Sequence, residues 1–202
     1  MVITLRWHVK LSWRHGMIDE LFPTRIHLGK VDNYEKIQQD FKDLIHVFDT
    51  EVGWEDLWDT HLITDNKFKD NIIKEYELTT FQEEIKKHVI AYTGLENIRY
   101  DLHTSWITRC DKGNYALCHE HGWSDIAGVY YYQTNGKDGN IYFQTPVLAQ
   151  TTCIWDDRPN TIQYPPDQGG MILFPGWLRH GVNTNTTDHT RISISFNLSL
   201  IK

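Results

Sequence analysis

From about Ile98 to the C-terminus, apolar residues recur at every second position in short runs with no helical pattern between them. The runs are Ser105–Cys110, Tyr115–His121, Ile126–Gln133, Ile141–Gln144, Thr151–Trp155, Gly170–Phe174 and Arg191–Leu200. Asn135-Gly136, Asp138-Gly139 and Pro165-Pro166 punctuate them. Parallel strands need long crossover connections, so the pattern predicts an antiparallel jelly roll or barrel. The chain upstream is written differently. Tyr34, Ile37, Phe41, Leu44, Ile45 and Phe48 recur at spacings of three and four behind the cap candidates Asp32 and Asn33. Thr79 or Thr80 with Glu83 resembles a capping box ahead of Ile85, His88 and Val89, and Gly94 reads as the stop. The expected organisation is mainly β with N-terminal helices: a helical support region, 1–97, packed on a β core, 98–202, as one unit.

Charge narrows the partners. Against 27 acidic groups stand 20 basic ones, a formal net of -7, which disfavours general binding to nucleic acid or an anionic membrane. The N-terminal MVITLRWHVKLSWRHG breaks its apolar residues with Arg6, His8, Lys10 and Arg14, so no secretory signal is expected. The longest uncharged stretch, Gly139 to Trp155, carries Asn140, Gln144 and Gln150 and is too polar to span a bilayer. Cys110, Cys118 and Cys153 form no CxxC pair, and reduced thiols in a cytoplasmic setting are expected.

Eleven histidines are the compositional feature with chemical content. In His119-Glu120-His121, strand alternation puts both imidazoles on one face, where they can share an ion. On its own an HxH is weak, because solvated strands carry such pairs by chance. His180 strengthens it. It follows Gly169-Gly170-Met171-Ile172-Leu173-Phe174-Pro175-Gly176-Trp177, which reads as turn, buried strand and sharp loop. Further on, Arg191-Ile192-Ser193-Ile194-Ser195-Phe196-Asn197-Leu198 alternates strictly between a polar and an apolar face. An ordinary half-solvated strand would read the same. If the polar face points into the barrel, the guanidinium fork of Arg191 can pair with a small carboxylate.

Together these segments resemble the small stand-alone iron(II)/2-oxoglutarate-dependent oxygenases of bacteria and phages, relatives of the prolyl hydroxylases. The blocks that carry the resemblance are His119-x-His121, Ile126–Tyr131, Gly170–His180 and Arg191–Asn197, with Leu21-Phe22-Pro23-Thr24 as a further echo near the start. The resemblance implies a double-stranded β-helix with the metal at its open end. It also implies Fe(II), 2-oxoglutarate and O2 as cofactor and cosubstrates, and oxidation of a small-molecule or peptidyl substrate with release of succinate and CO2. Residue by residue, His119 and His180 match the two ligand histidines. Arg191 with Tyr131 matches the pair that takes the distal carboxylate of 2-oxoglutarate, and Ser193 matches the serine two residues past the arginine. One position departs: where most of the wider superfamily has a carboxylate as second ligand, this chain has His121. A three-histidine site is the preferred reading and Asp125 the alternative anionic ligand.

Two rival classes remain. Gly113, His119, His121 and Asp125, then Gly169, Pro175 and His180, resemble the two cupin motifs. A cupin dioxygenase or isomerase would not use 2-oxoglutarate and would leave Arg191 without a task. A non-catalytic jelly-roll binding module is the third class, with the eight Trp offering sugar-stacking surface. Trp123, Trp177 and Asn197 are candidate substrate-lining residues. Cys118 and the histidines outside the triad (His61 among them) read as structural or solvated. The acidic Glu51–Asp70 stretch reads as a solvated loop or a cover for the substrate.

Overall fold

In a computed structural model of the chain, residues 23–57, 59–64, 71–146 and 160–201 are described. Helix α1 (Tyr34–Val47) buries Ile37, Phe41, Leu44 and Ile45, the stripe its periodicity predicts. Each such side chain contributes roughly 1.5–3 kcal/mol on burial. Its start differs from expectation: Asn33 occupies the cap position but makes no capping bond, and its amide donates to Glu84 instead (2.8 Å). Helix α3 (Thr79–Thr93) likewise starts without the capping box, with Leu78 as N-cap and no side-chain bond. Gly94 does end it, in the left-handed conformation (φ 72) that glycine adopts without strain. A four-residue turn, α2 (Ile72–Glu75), lies between the two.

Two sheets face each other. The larger is assembled from β1 (His27–Lys30), β2 (Glu55–Leu57), β3 (His61–Ile63), β4 (Tyr100–Cys110), β6 (Ile126–Gln133), β9 (Gly170–Pro175) and β11 (Arg191–Leu200), in the order β1-β9-β6-β11-β4-β3-β2. The smaller holds β5 (Ala116–His119), β7 (Ile141–Gln144), β8 (Thr161–Tyr164) and β10 (His180–Val182), in the order β5-β10-β7-β8. All the strand pairings described are antiparallel. The fold is a jelly roll of the double-stranded β-helix type with few helices. The expected Thr151–Trp155 strand and the Leu21-Phe22 half of the N-terminal echo lie outside the described residues.

Four differences from the sequence reading matter. The region 1–97 is more than a helical support, since β1 pairs with β9 and β3 with β4. The acidic stretch is not simply a loop: its described part forms the β2–β3 hairpin at the sheet edge. The run expected over Tyr115–His121 stops pairing at His119. And β8 and β10 are strands, each too short to show a period.

The larger sheet is buried on both faces. One core joins α1 and α3 to its outer face through Phe41, Phe81, Ile85, Ile107, Tyr130, Ile194 and Phe196. A second fills the space between the sheets with Val129, Tyr131, Ile141, Phe143, Ile172 and Phe174. On the helix-covered face Gly128 is required, because a Cβ at that position would lie 2.3 Å from the Phe196 ring of the first core.

Helix α3 is clamped to the start of α1 by a fully buried carboxylate. Glu84 accepts from the Asp32 backbone N–H (2.9 Å), the Asn33 amide and Lys87 Nζ (2.6 Å). Burial works to raise its pKa, but these donors outweigh it and hold the carboxyl below its ordinary value. Glu84→Gln is therefore expected to cost about 1–3 kcal/mol, read by chemical denaturation at neutral pH. With the folded-state pKa depressed, the wild-type advantage is complete above the ordinary carboxyl pKa. It should fade as pH falls through the lower folded value.

Candidate metal and cosubstrate site

His119 ends β5 and His180 begins β10, and the two are direct cross-strand partners. His121 stands two residues beyond His119 in a turn where its N–H donates to Gly176 O (2.8 Å) and its carbonyl accepts from Ser124 N (2.8 Å). The β9–β10 turn thus holds the third imidazole against the other two. One ring nitrogen from each lies within 4.8 Å of the others. Nitrogens sharing one ion at about 2.1 Å stand no more than about 4.2 Å apart, so a small ring rotation closes the set.

The rings are also in the right chemical state. His119 Nδ1 donates to Leu117 O (2.7 Å) and His180 Nδ1 to Leu178 O (2.9 Å), which leaves Nε2 as the lone-pair nitrogen on each. Burial lowers all three pKa values. His121 falls to about 4, with His119 and His103 adding repulsion, and His180 to about 3, with His119 next in weight. Neutral imidazole, the metal-binding form, is favoured throughout. The donor set fits a divalent first-row ion.

Asp125 is not brought to this group. Its carboxylate accepts from Leu200 N (2.7 Å) and its carbonyl from Gly176 N, tying the end of β11 to the β9–β10 turn. Asp125→Ala is expected to lose this tie, at about 1 kcal/mol, and keep its metal. His121→Ala is expected to release it. Metal analysis of the two purified variants checks the assignment, and loss of metal only from the Asp125 variant would reverse it.

The histidines open onto a cavity of about 290 Å³ between the sheets, at the small end for a ligand site. Arg191, Ser193 and Asn197 line it, as the polar face of β11 predicts, together with Tyr131 of β6. Ser193 is the register partner of Thr108 on β4 and of Tyr131 on β6, giving one polar row across three strands. Burial pushes the Tyr131 hydroxyl up to about 12, so it stays a donor. Arg191 is 3% exposed, yet its Nε has no partner among the described residues, and neither has Asn197 Oδ1. A buried donor left so costs about 1–3 kcal/mol. Orphaned polar atoms on a cavity wall fit a ligand that carries an acceptor to Arg191 and a donor to Asn197.

At the mouth, Trp123 lines the cavity while remaining 68% exposed. Trp177 does not line it: it projects from the β9–β10 turn, half exposed.

Sequence reasoning missed Leu57, His61 and Trp106, which all line the cavity. Trp106 lies 6.0 Å from His121, ring to ring. His61 Nδ1 contacts Thr60 Oγ1 (2.8 Å) and Tyr115 O (3.1 Å). Thr60 donates its own proton to Leu57 O, so His61 Nδ1–H is the donor and Nε2 is left as acceptor. The available signal was a turn at Asp59-Thr60 between two three-residue runs, obscured by acidic residues.

The fold and site define a jelly-roll protein with a three-imidazole centre beside a buried arginine. A family model described as "Putative 2OG-Fe(II) oxygenase" matches residues 104–197. That segment contains the triad and Arg191, and the match supports an enzyme of the Fe(II)/2-oxoglutarate-dependent oxygenase class. Solved structures share the fold at low identity. A 2OG-Fe(II) oxygenase family oxidoreductase from Burkholderia pseudomallei is 13% identical, with TM-score 0.59, covering 86% of this chain and 84% of that one. HygX from Streptomyces hygroscopicus, solved with nickel and 2-oxoglutarate bound, is 11% identical with TM-score 0.62 and coverage of 87% and 82%. A Pseudomonas putida prolyl-4-hydroxylase is 10% identical with TM-score 0.59 and coverage of 89% and 94%. No curated protein sequence matches the chain. No described helix is long and apolar enough to cross a membrane.

Proposed function

We propose that the chain is a hydroxylase-type oxygenase that binds Fe(II) through His119, His121 and His180 and takes 2-oxoglutarate as cosubstrate. It would act on a small-molecule or peptidyl substrate. The observation that carries this reading is the pairing of three neutral imidazoles with an orphaned, buried Arg191 Nε on the walls of one cavity. When bound, Fe(II) with 2-oxoglutarate and O2 supplies oxidative decarboxylation, releasing succinate and CO2, together with oxygen transfer to a C–H bond.

The protein's part is position and exclusion of water. His119, His121 and His180, gathered at one end of the cavity, would hold the ion there. Arg191 offers its charge to the distal carboxylate, with Tyr131 and Ser193 as neighbouring hydroxyl donors. Apolar walls from Val129, Ile141 and Phe174 keep that pairing out of water, where it would be weaker. Trp123 and Asn197, which line the same cavity, would meet the substrate.

Anaerobic titration with Fe(II) and then 2-oxoglutarate tests the reading: a visible metal-to-ligand charge-transfer band is expected. Admitting O2 should then release succinate, and a panel of peptides and metabolites should reveal a product heavier by one oxygen. The cupin reading needs Asp125 as a ligand, and Asp125 is tied to Leu200 instead.

A further inference from the structure

Arg191 is not a free fork. Its Nη1 donates to two backbone carbonyls of the β6–β7 turn, Asp138 O (3.2 Å) and Gly139 O (2.8 Å). Its Nη2 donates to Cys110 Sγ (2.9 Å), the thiol of its register partner on β4. Only Nε is left without a partner among the described residues.

The turn that supplies the carbonyls is itself fixed. Asp138 is 0% exposed, and its carboxylate accepts from Thr134 Oγ1 (2.6 Å) and Asn135 N (2.8 Å) and meets His189 Nδ1 (2.9 Å). Gly139 completes it at φ +108, where a Cβ would lie 2.4 Å from Asn183 O and 2.9 Å from Arg191 Nη1. On the other side, Asn185 Nδ2 holds Cys110 O (3.1 Å) and His189 O (2.7 Å). Neither Cys110 nor Asp138 lines the cavity, so neither touches a ligand there directly.

We infer that Cys110 and Asp138 are positioning residues that lock the guanidinium from behind, so that a dicarboxylic 2-oxo acid is recognised along the Nε edge of Arg191. The inference rests on the proposed role of Arg191. Its consequence is selectivity for a distal carboxylate, set in advance of binding. A long side chain already immobilised loses little further entropy when the ligand arrives, and its one unsatisfied donor rewards a carboxylate over a methyl group.

The probes are 2-oxoglutarate and 2-oxovalerate, which share the metal-chelating 2-oxo acid end and differ in the distal carboxylate. Each is titrated calorimetrically into Fe(II)-loaded protein without O2. In Cys110→Ala and in Asp138→Asn, affinity for 2-oxoglutarate should fall about five- to tenfold, the size of one lost hydrogen bond. Affinity for 2-oxovalerate should stay unchanged in both. Cys110→Ser keeps an acceptor of similar size and should restore the preference.

Equal loss for both ligands would mean general damage to the site and would overturn the positioning role. So would full retention of the preference in Cys110→Ala and Asp138→Asn, or failure of Cys110→Ser to restore it. Arg191→Met separates the two levels. If it leaves the preference intact, the proposed carboxylate site itself is wrong. If it abolishes the preference while the Cys110 and Asp138 variants retain it, only the present inference falls.

Discussion

His180→Ala and His119→Ala are each expected to abolish stoichiometric metal retention while leaving a folded protein. Loss of a residue that merely orients a ligand costs roughly ten- to a hundredfold in metal affinity, so loss of a ligand should cost more. The fold should survive because neither hydrophobic core is built from the ligand histidines. His180 touches the second core at the Phe174 and Phe143 rings, 4.6 and 6.2 Å away, and its removal should cost only about 1–3 kcal/mol. Metal content after gel filtration, beside a circular dichroism melt, reads both quantities. Stoichiometric iron in either variant would show that the ion is held elsewhere.

For Arg191→Met, the apparent requirement for 2-oxoglutarate is expected to rise about a hundredfold or more. Truncating one partner of a buried, hydrogen-bonded charge pair costs roughly 2–5 kcal/mol, and each ~1.4 kcal/mol is a factor of ten. Arg191→Lys should fall between, keeping the charge but unable to reach the Cys110 and Gly139 acceptors together with the ligand. Metal content should be unchanged in both, because Arg191 coordinates nothing. Succinate release measured against 2-oxoglutarate concentration decides it, and an unchanged requirement in Arg191→Met would remove 2-oxoglutarate from that end of the cavity.

Local pattern made much of this legible. Ile126–Gln133, Ile141–Gln144 and Arg191–Leu200 stand as strands with the bounds their alternation suggests, because a strand between two chemically different surfaces must alternate. The grouping of the three histidines was legible for a related reason: His119-x-His121 and the loop before His180 put ligand-type residues at the ends of strand-like runs, which pair as β5 and β10. What stayed hidden depends on distant partners. Within Glu55–Ile63 only the Asp59-Thr60 turn, obscured by acidic neighbours, hints at a hairpin that adds to β4 and brings His61 and Leu57 to the cavity wall. Asn33 looks like a cap until Glu84, 51 residues away, takes its amide. The hold on Arg191 was equally invisible, since two backbone carbonyls and a thiol leave no mark in a motif.

The alternation of β11 has a consequence for how the enzyme can vary. Odd-numbered residues from Arg191 to Asn197 face the cavity, while Ile192, Ile194, Phe196 and Leu198 belong to the core beneath α1 and α3. Chemistry and stability are therefore interleaved on a single strand, one residue apart. Deleting or inserting one residue there would deliver isoleucines to the cosubstrate and a guanidinium to the core in the same stroke. New specificities in a scaffold of this kind can be reached by exchanging side chains at odd positions, and by remodelling the β2–β3 hairpin and the turns at the mouth. Changes of length are confined to those peripheral segments, and β11 is closed to them.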